Sequence, residues 1–307
     1  MIPLRYHAVS LVAVFLALAL GLVLGSTTLA DRVVQNLRSD RSGLTEQAEA
    51  LEAERDTALN ELDAASEFTV TYADRLLDGE LRDQAVVVFA APGADPDDVA
   101  GVRDMLTRAG GSIHGTVTLT EAFTDVAEAE RLRGLVTNSL PAGAQLDTGA
   151  TDQGSMTGDL LGTAFLHAQG EGPQGTDEER QVILDVLSSG GFIAPEGAVT
   201  PAASAVVVTA AQQERDGNDG AFVARFAAGL AAHGAVVAAG GPESADGNHA
   251  LAVIRSETSM ASAVSTVDNA GTAPGRVTVA LALAERLRGD SAHYGTGPRA
   301  VAVTRGA

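Results

Sequence analysis

Across 307 residues, 45% hydrophobic and only 4% aromatic with no Trp, the chain holds enough apolar material for a membrane anchor and one or two globular domains with cores of Ala, Val and Leu. All 20 basic residues are Arg and they face 40 acids, a net charge of −20 that repels phosphate backbones and excludes nucleic acid as a partner. Zero Cys excludes disulfides, thiolate metal sites and Cys nucleophiles together. The absence of Lys beside abundant Ala and Gly marks a GC-rich genome rather than a function.

Residues 6–30 contain no Asp, Glu or Arg, and 9–24 read VSLVAVFLALALGLVL. About 20 apolar residues at ~1.5 Å rise each cross a hydrocarbon core of roughly 30 Å. Residues 9–30 are therefore predicted as a single-pass transmembrane anchor behind a short cytoplasmic N-terminus, 1–8. The alternative is a cleaved signal peptide, for which Thr28-Leu29-Ala30 is a passable cleavage site. The run is longer than a usual signal core and its helical pattern continues unbroken, which favours the anchor. Charge does not orient the span, because Arg5 faces Arg32, Arg38 and Arg41 across it.

Residues 31–78 are predicted as a coiled-coil stalk. Leu37, Leu44, Leu51 and Ala58 recur every seven residues, with Val34, Ala48 and Leu62 on the neighbouring seam position; Arg41 and Arg55 interrupt that second row. A helix this long has no globular face of its own to cover a Leu stripe, so pairing between copies of the chain is expected. A lone amphipathic helix lying on the globular domain is the alternative.

Residues 79–307 read as an α/β domain with a doubly wound, mostly parallel sheet, built from two βαβ halves at 79–200 and 201–307. The strand Ala85–Phe89 is followed by Pro92-Gly93, a helix from Asp95 to Arg108, the stop Gly110-Gly111 and a strand at Ser112–Leu119. From Ala205 the order repeats: a strand at Ala205–Val208, a helix at Phe222–His233, a stop at Gly234 and a strand at Ala235–Ala238. AVVVFA and AVVVTA stand 120 residues apart. Between them, Thr176 through Glu179 form a capping box opening a helix to Leu187, and Phe192-Ile193 begins a short strand. Leu251–Ile254 reads as a further strand, and Pro274 opens a helix over Val277–Arg288. Segments 141–156 and 240–250, rich in Gly, Asp, Ser and Thr, read as loops.

Catalytic signatures are absent, so an enzyme is not expected. No GxSxG elbow, Walker loop or HExxH motif occurs; in Gly154-Ser155-Met156-Thr157-Gly158 the Ser stands one place too early. No two of the six His have i, i+4 spacing, Met105, Met156 and Met260 are scattered, and no cofactor is evident from these residues. Met105 reads as core filling. The densest polar stretch is C-terminal: Ser265-Thr266-Val267-Asp268-Asn269, Gly275-Arg276, an Ala/Leu helix, then His293-Tyr294-Gly295-Thr296-Gly297. Mixed polar groups beside glycines suit a binding site, and equally a helix between two tight loops.

The opening IPLRYHAVSLVAVFLALALGLVLGS, the heptad stalk and the closing STVDNAGTAPGRVTVALALAERLRGDSAHYGTG resemble the MctB-type copper transporter family of actinobacteria, over essentially the whole chain. The resemblance implies a cell-membrane protein with an extracytoplasmic C-terminal body, a role in copper homeostasis or efflux, and copper as the ion handled. A corynebacterial member of the family is associated instead with cell division and control of a peptidoglycan hydrolase, which implies a scaffold with an envelope or division protein as partner. The family motif maps binding onto Asp268, Asn269, Gly275, Arg276, His293, Tyr294 and Gly295. For copper(II), which accepts imidazole and oxygen ligands, His293 with Asp268 is the first pair to consider.

Overall fold

The computed structural model describes residues 4–168, 172, 174–210 and 217–305, with side chains described from 6 to 23 and from 43 onward within those ranges. Contacts divide the chain into two compact units, Met1–Ala64 and Ala65–Ala307.

The long Pro-free stretch forms one helix, α1 (Leu4–Leu76). Within the first unit, Tyr6–Val23 is long and apolar enough to cross a membrane, and none of it is buried. Of the heptad positions, the side chains of Val34 and Leu37 lie outside the described residues. Leu44, Ala48, Leu51, Ala58 and Leu62 are all exposed, the leucines at 67%, 65% and 43%. In the second unit the last turns of α1 bury Thr69 and Ala73, and Leu77 just beyond, on an i, i+4, i+8 face against the globular body.

The body follows in the order β1 (Ala85–Ala90), α2 (Pro96–Arg108), β2 (Ser112–Leu119), α3 (Glu121–Thr124), α4 (Ala129–Asn138), α5 (Gln153–Phe165), α6 (Asp177–Ser189), β3 (Ile193–Glu196), β4 (Ser204–Val208), α7 (Asp219–Ala231), β5 (Ala235–Ala239), α8 (Ala250–Ser256), α9 (Thr258–Ala263), β6 (Val264–Val267), α10 (Ala273–Leu287) and β7 (His293–Tyr294). The seven strands form one sheet, β3-β2-β1-β4-β5-β6-β7, parallel except for β3. β1 and β4 are the central neighbours, with Phe89 beside Val207, and the chain winds outward from them in both directions.

The crossover from β1 through α2 and the one from β4 through α7 run in opposite directions from the centre, so connections of one hand put these two helices on opposite faces. α10 lies with α2 and the end of α1, while α4, α5, α6, α7 and α8 cover the other face. The strands alternate between the two: Val87, Phe89, Ala205 and Val207 join the second layer, and Val86, Val88, Val206 and Val208 the first. Phe226 of α7 meets Phe89 and Phe123 edge-on, at centroid distances of 5.2 and 5.5 Å.

Local signals set most boundaries. Asp95 caps α2 by accepting the Asp97 N–H at 2.8 Å. Thr176 and Glu179 complete the capping box of α6, and Pro274 stands in the first turn of α10. Three readings are corrected. Leu251–Ile254 is not a strand but the middle of helix α8, which buries Leu251 and Ile254 three residues apart on one side; a four-residue apolar run carries no period that separates the two. Ser265–Val267 is not loop but part of β6, fully buried in the sheet. The supposed loop 141–156 ends in helix α5, hidden by its glycines. Gly154 and Gly158 are there for contact rather than flexibility: a Cβ on either would overlap the backbone of Phe222 or Phe226 on α7.

Candidate functional site

Every parallel strand ends its course at the same edge of the sheet, and the residues just past β6 and β7 gather the C-terminal motif there. Asp268 follows β6 and is completely buried. Its Oδ2 meets Nη1 of Arg255, from the last turn of α8, at 2.6 Å, with side-chain exposures of 0% and 1%. Its Oδ1 accepts the Thr296 N–H at 2.7 Å and the Gly297 N–H at 3.1 Å. Gly295 makes this wrapping feasible: its φ is +128°, and a Cβ would sit inside the Asp268 carboxylate.

Arg255 ties the region together. Beyond Asp268 it donates from Nη1 to Pro298 O at 2.9 Å, from Nη2 to Tyr294 O at 2.8 Å and from Nε to Thr266 Oγ1 at 2.8 Å. Thr266, having accepted from Arg255, has its own proton for His293 Nδ1 at 2.9 Å. A neutral His293 can accept that proton at Nδ1 while carrying its own on Nε2. Burial, reinforced by the nearby Arg255 charge, holds His293 below the ordinary histidine value, so the neutral ring belongs to the fold. Tyr294 donates to Glu285 at 2.7 Å; burial, the bond and the Glu285 charge push its phenol up to about 12.

The remaining motif residues form a second, adjoining cluster at the amino end of α10. Arg276 reaches Ala270 O at 3.0 Å and Asp98 of α2 at 2.8 Å. Gly275 admits the backbone of Asn269, which any Cβ there would overlap. The Asn269 Oδ1 is buried without a partner among the described residues. The structure thus brings Asp268, His293, Tyr294 and Gly295 around one guanidinium and sets Asn269, Gly275 and Arg276 beside them. Sequence reading missed Arg255, Glu285 and Asp98, and named Thr266 only as part of the polar stretch. Nothing local marks Arg255, which lies 13 residues from its carboxylate in an unremarkable apolar segment.

As a place for copper the cluster is poorly furnished. Both Asp268 oxygens are taken by Arg255 and the loop before any metal could reach them. Among the described residues no group of three or more His, Asp or Glu is placed to hold a metal ion. Met105, Met156 and Met260 are buried in the two core layers. His114, His233 and His249 bond separately to Pro201 O, Asp159 and Glu243 O.

Removing one partner of a buried pair strands the other as an uncompensated charge, so Arg255→Met is expected to cost about 3–5 kcal/mol in urea unfolding. Arg255→Met with Asp268→Leu should recover most of that loss; equal losses in the single and double variants would contradict the assignment of Arg255 as the counter-ion. His293 adds a pH dependence. An unfolded chain takes up its proton near ~6.5, whereas the folded chain resists it until lower pH. The contribution is therefore complete above that value and is lost as pH falls through the depressed folded pKa, at no more than about 1.4 kcal/mol per pH unit. Unfolding midpoints from pH 7.5 to 5 should fall more steeply for wild type than for His293→Gln, and parallel curves would refute it.

Comparison with known proteins adds what the geometry leaves open. The family model described as "Copper transport outer membrane protein, MctB" matches residues 1–304. The proteins named copper transporter MctB from Mycobacterium tuberculosis (strain H37Rv) and Mycobacterium bovis are each 43% identical over 99% of both chains. The Mycobacterium leprae protein of the same name is 42% identical over the same share. From the anchor helix to the loop that wraps Asp268, this chain belongs to the MctB copper transporter family.

Proposed function

We propose that the chain is a membrane-anchored, non-enzymatic protein of copper homeostasis that works as an assembly of copies with its α/β body outside the cytoplasm. The observation that carries the copper part is the 43% identity over 99% of both chains to relatives named copper transporter. The anchor is Tyr6–Val23, whose 18 residues span ~27 Å as a helix, close to a hydrocarbon core. One helix encloses no pathway for an ion, so export through this protein needs several copies or a partner. The exposed Leu44, Leu51 and Leu62 support self-association, since pairing removes each from water for about 1.5–3 kcal/mol. Phe68 and Tyr72, whose rings meet at a tilt with centroids 4.7 Å apart, are exposed with Leu76 and offer a second apolar patch on the body's end of α1. Copper is cargo in this reading, not a resident ion.

The same exposed helix face supports a second reading, a scaffold that controls cell division and peptidoglycan hydrolysis through an envelope partner. Elemental analysis of copper-loaded cells separates the two. Cells lacking the chain should hold several-fold more copper than cells expressing it, and Leu44→Asp with Leu51→Asp should behave like the deletion while light scattering shows the detergent-solubilised protein dissociated. Unchanged copper together with defective cell separation would reject the copper reading in favour of the scaffold, and a monomeric variant that still keeps copper low would reject assembly. Sidedness has its own test: in this Cys-free chain, Ser42→Cys should react with a membrane-impermeant maleimide in intact cells whose outer barrier has been permeabilised, and reaction only after lysis would reverse the orientation.

A further inference from the structure

With Leu37, Leu44, Leu51 and Ala58 at heptad position d, position a falls three residues before each, at Val34, Arg41, Ala48 and Arg55, and next at Leu62 and Thr69. Leu62 is 43% exposed, whereas Thr69 is buried against the body, so the free seam of α1 ends between them after about four heptads. Two arginines inside this seam look like defects. Each of them, however, directly follows an acid at position g: Asp40 precedes Arg41 and Glu54 precedes Arg55. Ala48, which has no charge to match, follows the uncharged Gln47, and Glu61 before Leu62 is the one g acid with no cation beside it.

Within a single chain these charges have little to bond. Arg55 turns to its neighbour Asp56, with Nη2 at 2.7 Å and Nε at 3.2 Å from Oδ1, and the two side chains stay 68% and 61% exposed. Consecutive helix residues do not face each other, and an exposed pair of this kind contributes almost nothing. Glu54 takes part in no ion pair among the described residues.

We propose that α1 pairs with α1 of a second copy as a parallel, in-register, two-stranded coiled coil in which Arg55 of each chain bonds Glu54 of the other and Arg41 bonds Asp40; this rests on the assembly reading given above. In such a coil the knob at position a enters a hole formed by the other helix's preceding d and g residues and its next a and d. For Arg55 that hole is Leu51, Glu54, Arg55 and Ala58. The aliphatic stem lies over Leu51 and Ala58 while the guanidinium meets the Glu54 carboxylate at the wet rim. The two Arg55 of one layer repel each other, and the two Glu54 neutralise them.

Orientation and register follow from the anchor. α1 runs unbroken from Leu4 to Leu76, and with Tyr6–Val23 in the bilayer both copies leave the membrane in the same direction. A slip of one heptad, ~10 Å along the axis, would draw one apolar span about a third of the way out of a ~30 Å core. The number of strands follows from the arginines, since only a two-stranded coil lets the tip of an a residue reach water and the g carboxylate. Three or more strands would enclose one guanidinium per chain in the same dry layer.

Analytical ultracentrifugation of the full-length chain in detergent reads the mass, and cysteine crosslinking in membranes reads the register. Wild type should sediment as two chains. Glu54→Arg and Arg55→Glu each set like charges against each other and should each weaken the dimer about tenfold, and the two together should restore it. All of these are good helix formers at exposed positions, so the helix itself is kept. Under oxidation, Ala58→Cys in this Cys-free chain should give a crosslinked dimer, and Ala53→Cys, on the outer face of the coil, several-fold less. A monomeric wild type would overturn the assembly reading and this one with it. A mass of three or more chains, single reversals without effect, a double exchange as weak as the singles, or equal crosslinking at 53 and 58 would overturn the paired two-chain register alone and leave assembly standing.

Discussion

A parallel sheet has no face that water can cover, and the organisation of this protein follows from that requirement. β1, β4 and β5 are buried on both sides, so helices must lie on each. One layer is supplied by α4 to α8. The other has only α2 and α10 to draw on, and it is completed by the last turns of α1 through Thr69, Ala73 and Leu77. The last turns of α1 are thus a structural part of the body. The polar cluster around Arg255 stands at the edge of the sheet where β6 and β7 end.

Charge is managed in a particular way. With no Lys available, every cation is a planar fork able to bond several acceptors at once. Arg255 uses that capacity fully, joining a carboxylate, a hydroxyl and two backbone carbonyls that belong to β6, β7 and the closing loop. A lysine in its place could not span them. Arg276 does the same on a smaller scale between α10 and α2. These pairs contribute less to net stability than to fixing one arrangement of the C-terminal segment, because their desolvation offsets much of their attraction.

The elements legible in the sequence are those whose cause is local. The Val-rich strands, the caps at Asp95 and Thr176, and Pro274 each act within a few residues, and the doubly wound order followed from them. What was illegible depends on a distant partner. α5 looks like a loop because Gly154 and Gly158 lower helix propensity, and their purpose exists only when α7 lies against them. The motif around Asp268 was visible as a density of polar residues, but Arg255 was not, since a buried arginine is recognisable only by the carboxylate it meets. The exposed leucines of α1 remain a sequence signal whose partner lies outside a single chain.

The strand order also sets a timetable for synthesis. β1 stands third from the β3 edge and fifth from the β7 edge yet is the first of these strands made, and the edge it offers to β4 stays bare until residues 204–208 appear more than a hundred positions later. An early chain therefore presents Val86, Val88 and Phe89 beside unpaired backbone, a template for pairing with the wrong strand. Closure waits longer still, for the last residues to be delivered, since Gly295 bonds to Ala302 and Arg305 meets Glu80 at 3.1 Å across 225 positions. A polypeptide built in this order needs its first half shielded while the second is threaded out, and truncation near the end would leave the body unlocked rather than merely shortened.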